Sequence, residues 1–113
     1  MCGIMGYLGP RPAIDVLLQG LKRLEYRGYD SAGLAFFEGS ELQVVRSKGK
    51  ITQVEKTLTK RKAQPWKSAI GHTRWATHGK PTAQNAHPHR VEDVVLVHNG
   101  IIDNYTTLKQ MLI

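Results

Sequence analysis

Apolar positions recur along the chain with two different periods, and the change from one to the other marks out its elements. Ile14, Leu17, Leu18, Leu21 and Leu24 fall at helical spacing behind Pro12, whose fixed φ suits a first helical position, and Asp15 lies in the first turn, where the helix dipole favours an acid. This predicts a helix from Pro12 to about Tyr26, with Gly28 near its C-terminal cap. Ahead of it, Ile4, Tyr7 and Leu8 set among Gly3 and Gly6 predict a short buried strand from Cys2 to Leu8, ended by Gly9-Pro10. Gly33 to Phe37 and Leu42 to Arg46 read as two strands joined by a turn at Glu38-Gly39-Ser40-Glu41. Gly49 to Ala63 carries Ile51, Val54 and Leu58 on one helical face, and Gln64-Pro65 stops it. Ser68 to His72 is a short strand, and the unbroken apolar run Val94 to Val97 predicts a strand buried on both faces. Asp103 or Asn104 is placed to cap a last helix running through Leu108, Met111 and Leu112.

Two stretches fit neither period. Arg27 to Gly33, reading RGYDSAG, is too polar and glycine-rich for a regular element yet lies between a helix and an apolar run. Thr73 to Val91 holds three of the five histidines, two prolines and few apolar residues. Structureless loops of that length are uncommon unless they bind something, so both stretches are candidates for function.

At 113 residues and 41% hydrophobic content the chain suits one domain with its own core. No apolar run approaches a membrane span and no leader pattern is present, so a soluble, cytoplasmic protein without a membrane partner is expected. A single cysteine excludes an internal disulfide framework and fits a reducing compartment. The net charge of +7 draws anions without choosing among them. Much of it comes from Lys56, Lys60, Arg61, Lys62 and Lys67, with one aromatic, Trp66, and no recognisable nucleic-acid module. A solvated helix face accounts for this cluster and no nucleic-acid partner is expected; a basic polyanion-binding module is the rival reading.

The position of the cysteine changes the picture most. If Met1 is removed, Cys2 carries a thiol and the free α-amino group on one residue, so nucleophile and base need no histidine partner. A lone cysteine is equally a small buried hydrophobe. The histidines invite a metal, but His72, His78, His87, His89 and His98 lack ligand-pair spacing, and neither a metal nor a cofactor is expected; imidazoles satisfying backbone groups explain them better. Arg74, just past a predicted strand, is either a surface cation or a bidentate clamp for a carboxylate. Asn99-Gly100 is either a type I′ turn or a pair of neutral donors suited to a tetrahedral oxyanion.

Four segments together decide among these alternatives. Met1-Cys2-Gly3-Ile4, Arg27-Gly28-Tyr29-Asp30-Ser31-Ala32-Gly33, Gly71-His72-Thr73-Arg74-Trp75-Ala76-Thr77-His78-Gly79 and His98-Asn99-Gly100-Ile101 resemble, in order and spacing, the class II glutamine amidotransferase domain, an N-terminal-nucleophile hydrolase. The resemblance covers essentially the whole chain. Leu21 to Ala35 and the Trp75-containing loop resemble the branch of that class that delivers glutamine nitrogen to fructose 6-phosphate. The family fold implied is α+β, a four-layer αββα sandwich of two antiparallel sheets, here truncated to about half. Residues 1–113 would then be a partial amidotransferase domain, lacking the sugar isomerase domains that bind fructose 6-phosphate and the acidic residue that meets the glutamine α-ammonium.

By the same resemblance Cys2 is the nucleophile, its α-amine relays protons, and Asn99 with the Gly100 N–H receives the oxyanion. Arg74 holds the substrate α-carboxylate, Trp75, Thr77 and His78 belong to the loop that closes over glutamine, and Arg27 lies near the nucleophile. Glutamine is the expected small-molecule partner, and a homo-oligomer is compatible with the family. A non-catalytic fragment that keeps the motifs is the other alternative.

Overall fold

A computed structural model of the chain describes residues 2–58, 67–75 and 80–113, and for Arg27 the backbone alone. Strand β1 (Gly3–Leu8) leads into helix α1 (Ala13–Leu24), a 3₁₀ turn (Glu25–Arg27), strands β2 (Ser31–Glu38) and β3 (Glu41–Lys48), and helix α2 (Ile51–Leu58). Strand β4 (Ser68–Arg74), the short strands β5 (His89–Val91) and β6 (Val94–Leu96), and helix α3 (Tyr105–Leu112) follow. The first four strands form one antiparallel sheet in the order β1-β4-β2-β3, and β5 and β6 form a separate antiparallel pair.

The helical stripe read from the sequence does the packing expected of it. Ile14, Leu17, Leu18 and Leu21 of α1 are buried against one face of the large sheet, which contributes Ala32, Leu34, Phe36 and Ala69. Ile51, Val54 and Leu58 of α2 complete this core. The main-chain N–H of Ile51, at the start of α2, donates to Glu25 Oε1 at 2.8 Å, and Lys22 Nζ meets Glu55 Oε2 at 2.8 Å across the two helices. The first bond satisfies a helix-end donor with a carboxylate, a favourable charge for that end of the dipole. The second pair is partly exposed and contributes about 0–1 kcal/mol.

Several boundaries differ from the sequence expectation, each for a pairing reason. Pro12 is the N-cap of α1 rather than its first residue, and a 3₁₀ turn closing on Gly28 replaces its last turn. Extended pairing carries β2 back to Ser31 and β3 on to Lys48, so Ser31, Ala32 and Gly33 of the RGYDSAG stretch are strand residues. Likewise β4 runs on to Arg74, and His89 to Val91 form a strand, which shortens the irregular stretch at both ends. Gly39 takes φ +65°, as the β2–β3 turn requires. Helix α2 is described to Leu58; the expected continuation to Ala63, with Lys60, Arg61, Lys62 and Trp66, lies outside the described residues.

Two expectations of burial fail. Among the described residues β1 has only β4 beside it, and it alternates rather than being buried throughout, with Leu8 83% exposed. The run Val94 to Val97 is not buried on both faces: Val94 and Leu96 are 64% and 51% exposed, while Val95 turns inward. A two-stranded ribbon covers one face only, and unbroken apolar residues do not reveal whether a neighbour exists on the second side. Asn104 is the N-cap of α3 but its side chain makes no capping bond, and every residue of α3 is exposed.

The layers agree with the sandwich implied by the resemblance: helices, a first antiparallel sheet, and the β5–β6 ribbon against the opposite sheet face. Between ribbon and sheet lies an open apolar groove of about 450 Å³, lined by Leu8, Ala35, Phe37, Leu42, Ile70 and Val95 among others. Arg90 of the ribbon donates through Nη1 to Leu42 O at 2.8 Å. At the other end, the rings of His72 on β4 and His87 stack with centroids 4.0 Å apart, and His89 lies tilted against His87 at 4.3 Å. No described helix is long and apolar enough to cross a membrane.

Burial holds the His72 imidazole down to about 4, although its bond to the His98 carbonyl and the Asp30 charge pull the other way; nearby His89 and Arg74 lower it further. His87 is lowered to about 3, mainly by burial and then by His72, and His89 is lowered mainly by burial. In the unfolded chain these histidines titrate near 6.5. Stability is therefore full above that pH and is lost as pH falls toward the folded values, because the unfolded state takes up protons that the folded state refuses. Buried His72 alone should remove roughly 2 kcal/mol between pH 6.5 and 5, with a smaller screened amount from His87. Urea unfolding at pH 7.5 and 5.0 measures this. A His72→Gln chain should lose the His72 part of the pH dependence, and an unchanged dependence would contradict the assignment.

Candidate active site

The site is built where β1 and β4 end side by side. Their register pairs Gly3 with Thr73, so the residues just beyond, Cys2 and Arg74-Trp75, are brought together by sheet geometry. The Trp75 main-chain N–H donates to Cys2 Sγ at 3.4 Å, and the thiol approaches Trp75 O at 3.8 Å. Cys2 is half-buried, the state in which a thiol can be both held and reached.

The chain returns to this point from its far end. Asn99 Nδ2 donates to the Cys2 carbonyl at 3.1 Å, a contact spanning 97 positions. One N–H of the amide is used there, and a carboxamide has two. Gly100 follows at φ +152°. The Asn99-Gly100 stretch therefore lies beside Cys2 rather than closing a type I′ hairpin between neighbouring strands.

Arg74 is 8% exposed, which removes the surface-cation alternative. Its Nη1 donates to Lys80 O at 2.9 Å, tying the end of β4 to the chain beyond residues 76–79. Asn85 Nδ2 donates to the same carbonyl at 3.0 Å. Trp75 is half-exposed at 51%, on the rim beside Cys2. Thr77 and His78 lie outside the described residues, as does the Arg27 side chain.

The RGYDSAG stretch contributes in a way its composition did not reveal. The Asp30 N–H donates to Arg74 O at 3.1 Å, and a Cβ on Gly28 would sit 2.6 Å from both Arg74 C and Trp75 N. Glycine at position 28 thus lets one main chain lie directly against another behind Cys2. The signal available in sequence was the glycine after a helix, which reads equally well as a cap.

The histidines also have a role that ligand spacing could not show. His72 Nε2 lies 3.0 Å from His98 O, and the His98 N–H donates to His87 Nδ1 at 3.4 Å. Imidazoles satisfying main-chain groups are thus what the structure holds at His72 and His87. Among the described residues no group of three or more His, Cys, Asp or Glu side chains is arranged to hold a metal ion.

This end of the sheet thus gathers a thiol at residue 2, the buried guanidinium of Arg74 on the adjoining strand, and a carboxamide followed by glycine. Comparison with known proteins shows the family. A family model described as glutamine amidotransferases class-II matches residues 12–112. The glutamine–fructose-6-phosphate aminotransferase (isomerizing) of Bradyrhizobium diazoefficiens is 56% identical over 114 residues, a match covering 99% of this chain and 18% of that protein. Among solved structures, the glutamine phosphoribosylpyrophosphate amidotransferase of B. subtilis is similar with TM-score 0.74 and 31% identity, covering 99% of this chain and 24% of that one. The allosteric regulatory enzyme of purine biosynthesis is similar with TM-score 0.82 and 33% identity, covering 99% and 25%. The chain spans less than a fifth of the curated relative's length and about a quarter of each solved one. With a family model covering residues 12–112 and a fold similar to solved amidotransferases, the chain belongs to the class-II glutamine amidotransferases.

Proposed function

We propose that this chain is the glutamine-hydrolysing part of an aminotransferase that forms glucosamine 6-phosphate from fructose 6-phosphate. The observation that carries the reading is the meeting of Trp75 N–H and Asn99 Nδ2 on the two ends of Cys2, its sulfur and its carbonyl, which supports a thiol with a carboxamide donor close by. The hexosamine branch is favoured over purine synthesis by 56% identity to the fructose 6-phosphate enzyme against 31% and 33% to the two solved structures. Residues 1–113 form a partial amidotransferase domain in this reading, acting in the cytoplasm, and fructose 6-phosphate is bound by sugar isomerase domains that these residues do not comprise.

Removal of Met1 frees the Cys2 α-amine, which takes the thiol proton. The thiolate adds to the side-chain carbonyl carbon of glutamine, and negative charge develops on the carbonyl oxygen. The second N–H of Asn99 and the Gly100 N–H receive that charge in a site where donors are already fixed in place. The C–N bond breaks as the α-ammonium returns its proton, ammonia leaves, and a thioester remains on Cys2. Water, activated by the same amine, hydrolyses the thioester and releases glutamate. Arg74 holds the α-carboxylate in this scheme: its guanidinium is buried and anchored through Nη1 on Lys80 O, and its planar fork of N–H donors has the shape that meets a carboxylate bidentately. Trp75, with Thr77 and His78, belongs to the loop that covers glutamine and keeps water out until ammonia has gone. Arg27 lies close to the nucleophile in this scheme.

Two measurements test the reading. A glutamine-like electrophile such as 6-diazo-5-oxo-norleucine should attach to Cys2, as mass spectrometry of the Met1-free chain can localise; labelling elsewhere, or equal labelling of a Cys2→Ala chain, would reject Cys2 as nucleophile. Asn99→Ala should lower kcat for glutamine hydrolysis about 10²- to 10³-fold with a smaller change in KM. Unchanged turnover at normal substrate binding removes Asn99 from the oxyanion role.

A further inference from the structure

We propose that His72 and His87 are positioning residues for glutamine hydrolysis, acting as a paired imidazole clamp on the main chain of His98, the residue that carries Asn99 and Gly100 to the nucleophile. One ring takes each polar group of the same residue: His72 Nε2 lies 3.0 Å from His98 O, and His87 Nδ1 accepts from the His98 N–H at 3.4 Å. In an antiparallel sheet a partner residue supplies such a pair with its own N–H and C=O. Here β6 ends at Leu96, its only strand partner among the described residues is β5, and two stacked side chains complete the ladder at His98.

The sequence makes room for this arrangement. Gly33 is the register partner of His72 on β2, and a Cβ there would run into the His87 carbonyl oxygen and come within 2.8 Å of Val45 O. Without that Cβ the His87 main chain rests on the sheet and its ring reaches its neighbour's. His72 is fully buried, so its ring cannot drift to another partner.

Chemistry then fixes the protonation of both rings. The His98 carbonyl can only accept, so His72 carries its proton on Nε2 and its Nδ1 is bare; that atom is buried with no partner among the described residues. The His98 N–H can only donate, so His87 Nδ1 is bare and its proton is on Nε2. A second proton on His87 would set two donors against each other, and one on His72 would bury an unpartnered charge. The surrounding charges act against protonation as well: His72 is faced by Arg74 and His89, with Asp30 the one opposing acid, and His87 by His72, His89, Arg74 and His98. The clamp holds with both rings neutral. Its effect on chemistry runs through position, since a displacement of about 1 Å in a reacting geometry costs on the order of 10²-fold in rate.

This role rests on the glutamine-hydrolysing reading above, and two independent readouts keep the failures apart. Imidazole ¹⁵N–¹H correlation spectra of the chain should show His72 and His87 as neutral Nε2–H tautomers; either ring as Nδ1–H would overturn the clamp whatever the activity. In kinetics, His72→Leu and His87→Leu should lower kcat for glutamine hydrolysis about 10²-fold while KM changes several-fold at most, whereas His72→Gln keeps a donor at the ε position and His87→Asn an acceptor at the δ position, and each should restore kcat to within about fivefold. Equal losses in the leucine and polar variants, or a change confined to KM, would also overturn it. If the unsubstituted chain neither hydrolyses glutamine nor labels at Cys2, the functional reading is what fails. The main-chain amide shifts of Asn99 and Gly100 then decide the clamp, which predicts that both leucine variants move them and is refuted if they stay in place.

Discussion

The antiparallel register of β1 with β4 is the constraint on which the site depends. Pairing Gly3 with Thr73 leaves no freedom in where Cys2 goes: it must emerge beside the Arg74-Trp75 peptide. A slip of one residue would turn every side chain of β1 to the opposite face, taking Met5 and Tyr7 out of the helical core and shifting the thiol along the strand. The register that packs the core is thus the register that places the thiol. Gly28 and Asp30 press on the same peptide from behind, so the thiol meets a backbone held from two directions.

The second half of the site arrives by a different route. Asn99 belongs to no strand of the large sheet; it is delivered by a two-stranded ribbon lying over the face opposite the helices. Such a ribbon has little backbone pairing of its own, and its hold on the sheet is concentrated in a few side chains, Arg90 at one end and the histidine stack at the other. The apolar groove between the two layers adds little to that hold, since it is open. Polar contacts at the ribbon's ends, rather than a filled interface, set where the Asn99 amide points.

Helix α1 was the most legible part of the chain, because its apolar stripe repeats over several turns and no other element explains five such positions. Strand ends were less legible: Ser31, Ser47 and Lys48 pair in the ladder without looking like strand residues, since a neighbour's hydrogen bonds extend an element beyond its apolar stretch. The run at Val94 misled because hydropathy records what a residue is and not how many layers cover it. Within the site, Cys2, Arg74, Trp75 and Asn99 were identifiable through the motifs they share with a family, whereas spacing alone left each of them with an ordinary alternative. His72 and His87 were visible only as histidines needing main-chain partners. Which carbonyl and which N–H they serve depends on a fold that brings residues 72, 87 and 98 together.

The bond from Asn99 to the Cys2 carbonyl joins residues 97 positions apart, nearly the whole length of the chain. Closing a loop of that size gives no local reward, so the contact depends on the sheet and the ribbon that bring its two ends together. The carboxamide consequently lies beside Cys2 only where both parts of the fold are in place, β1 against β4 and the ribbon over the sheet. The surroundings of the thiol are in this sense a property of the whole fold, set by contacts from both ends of the chain and by no single element within it.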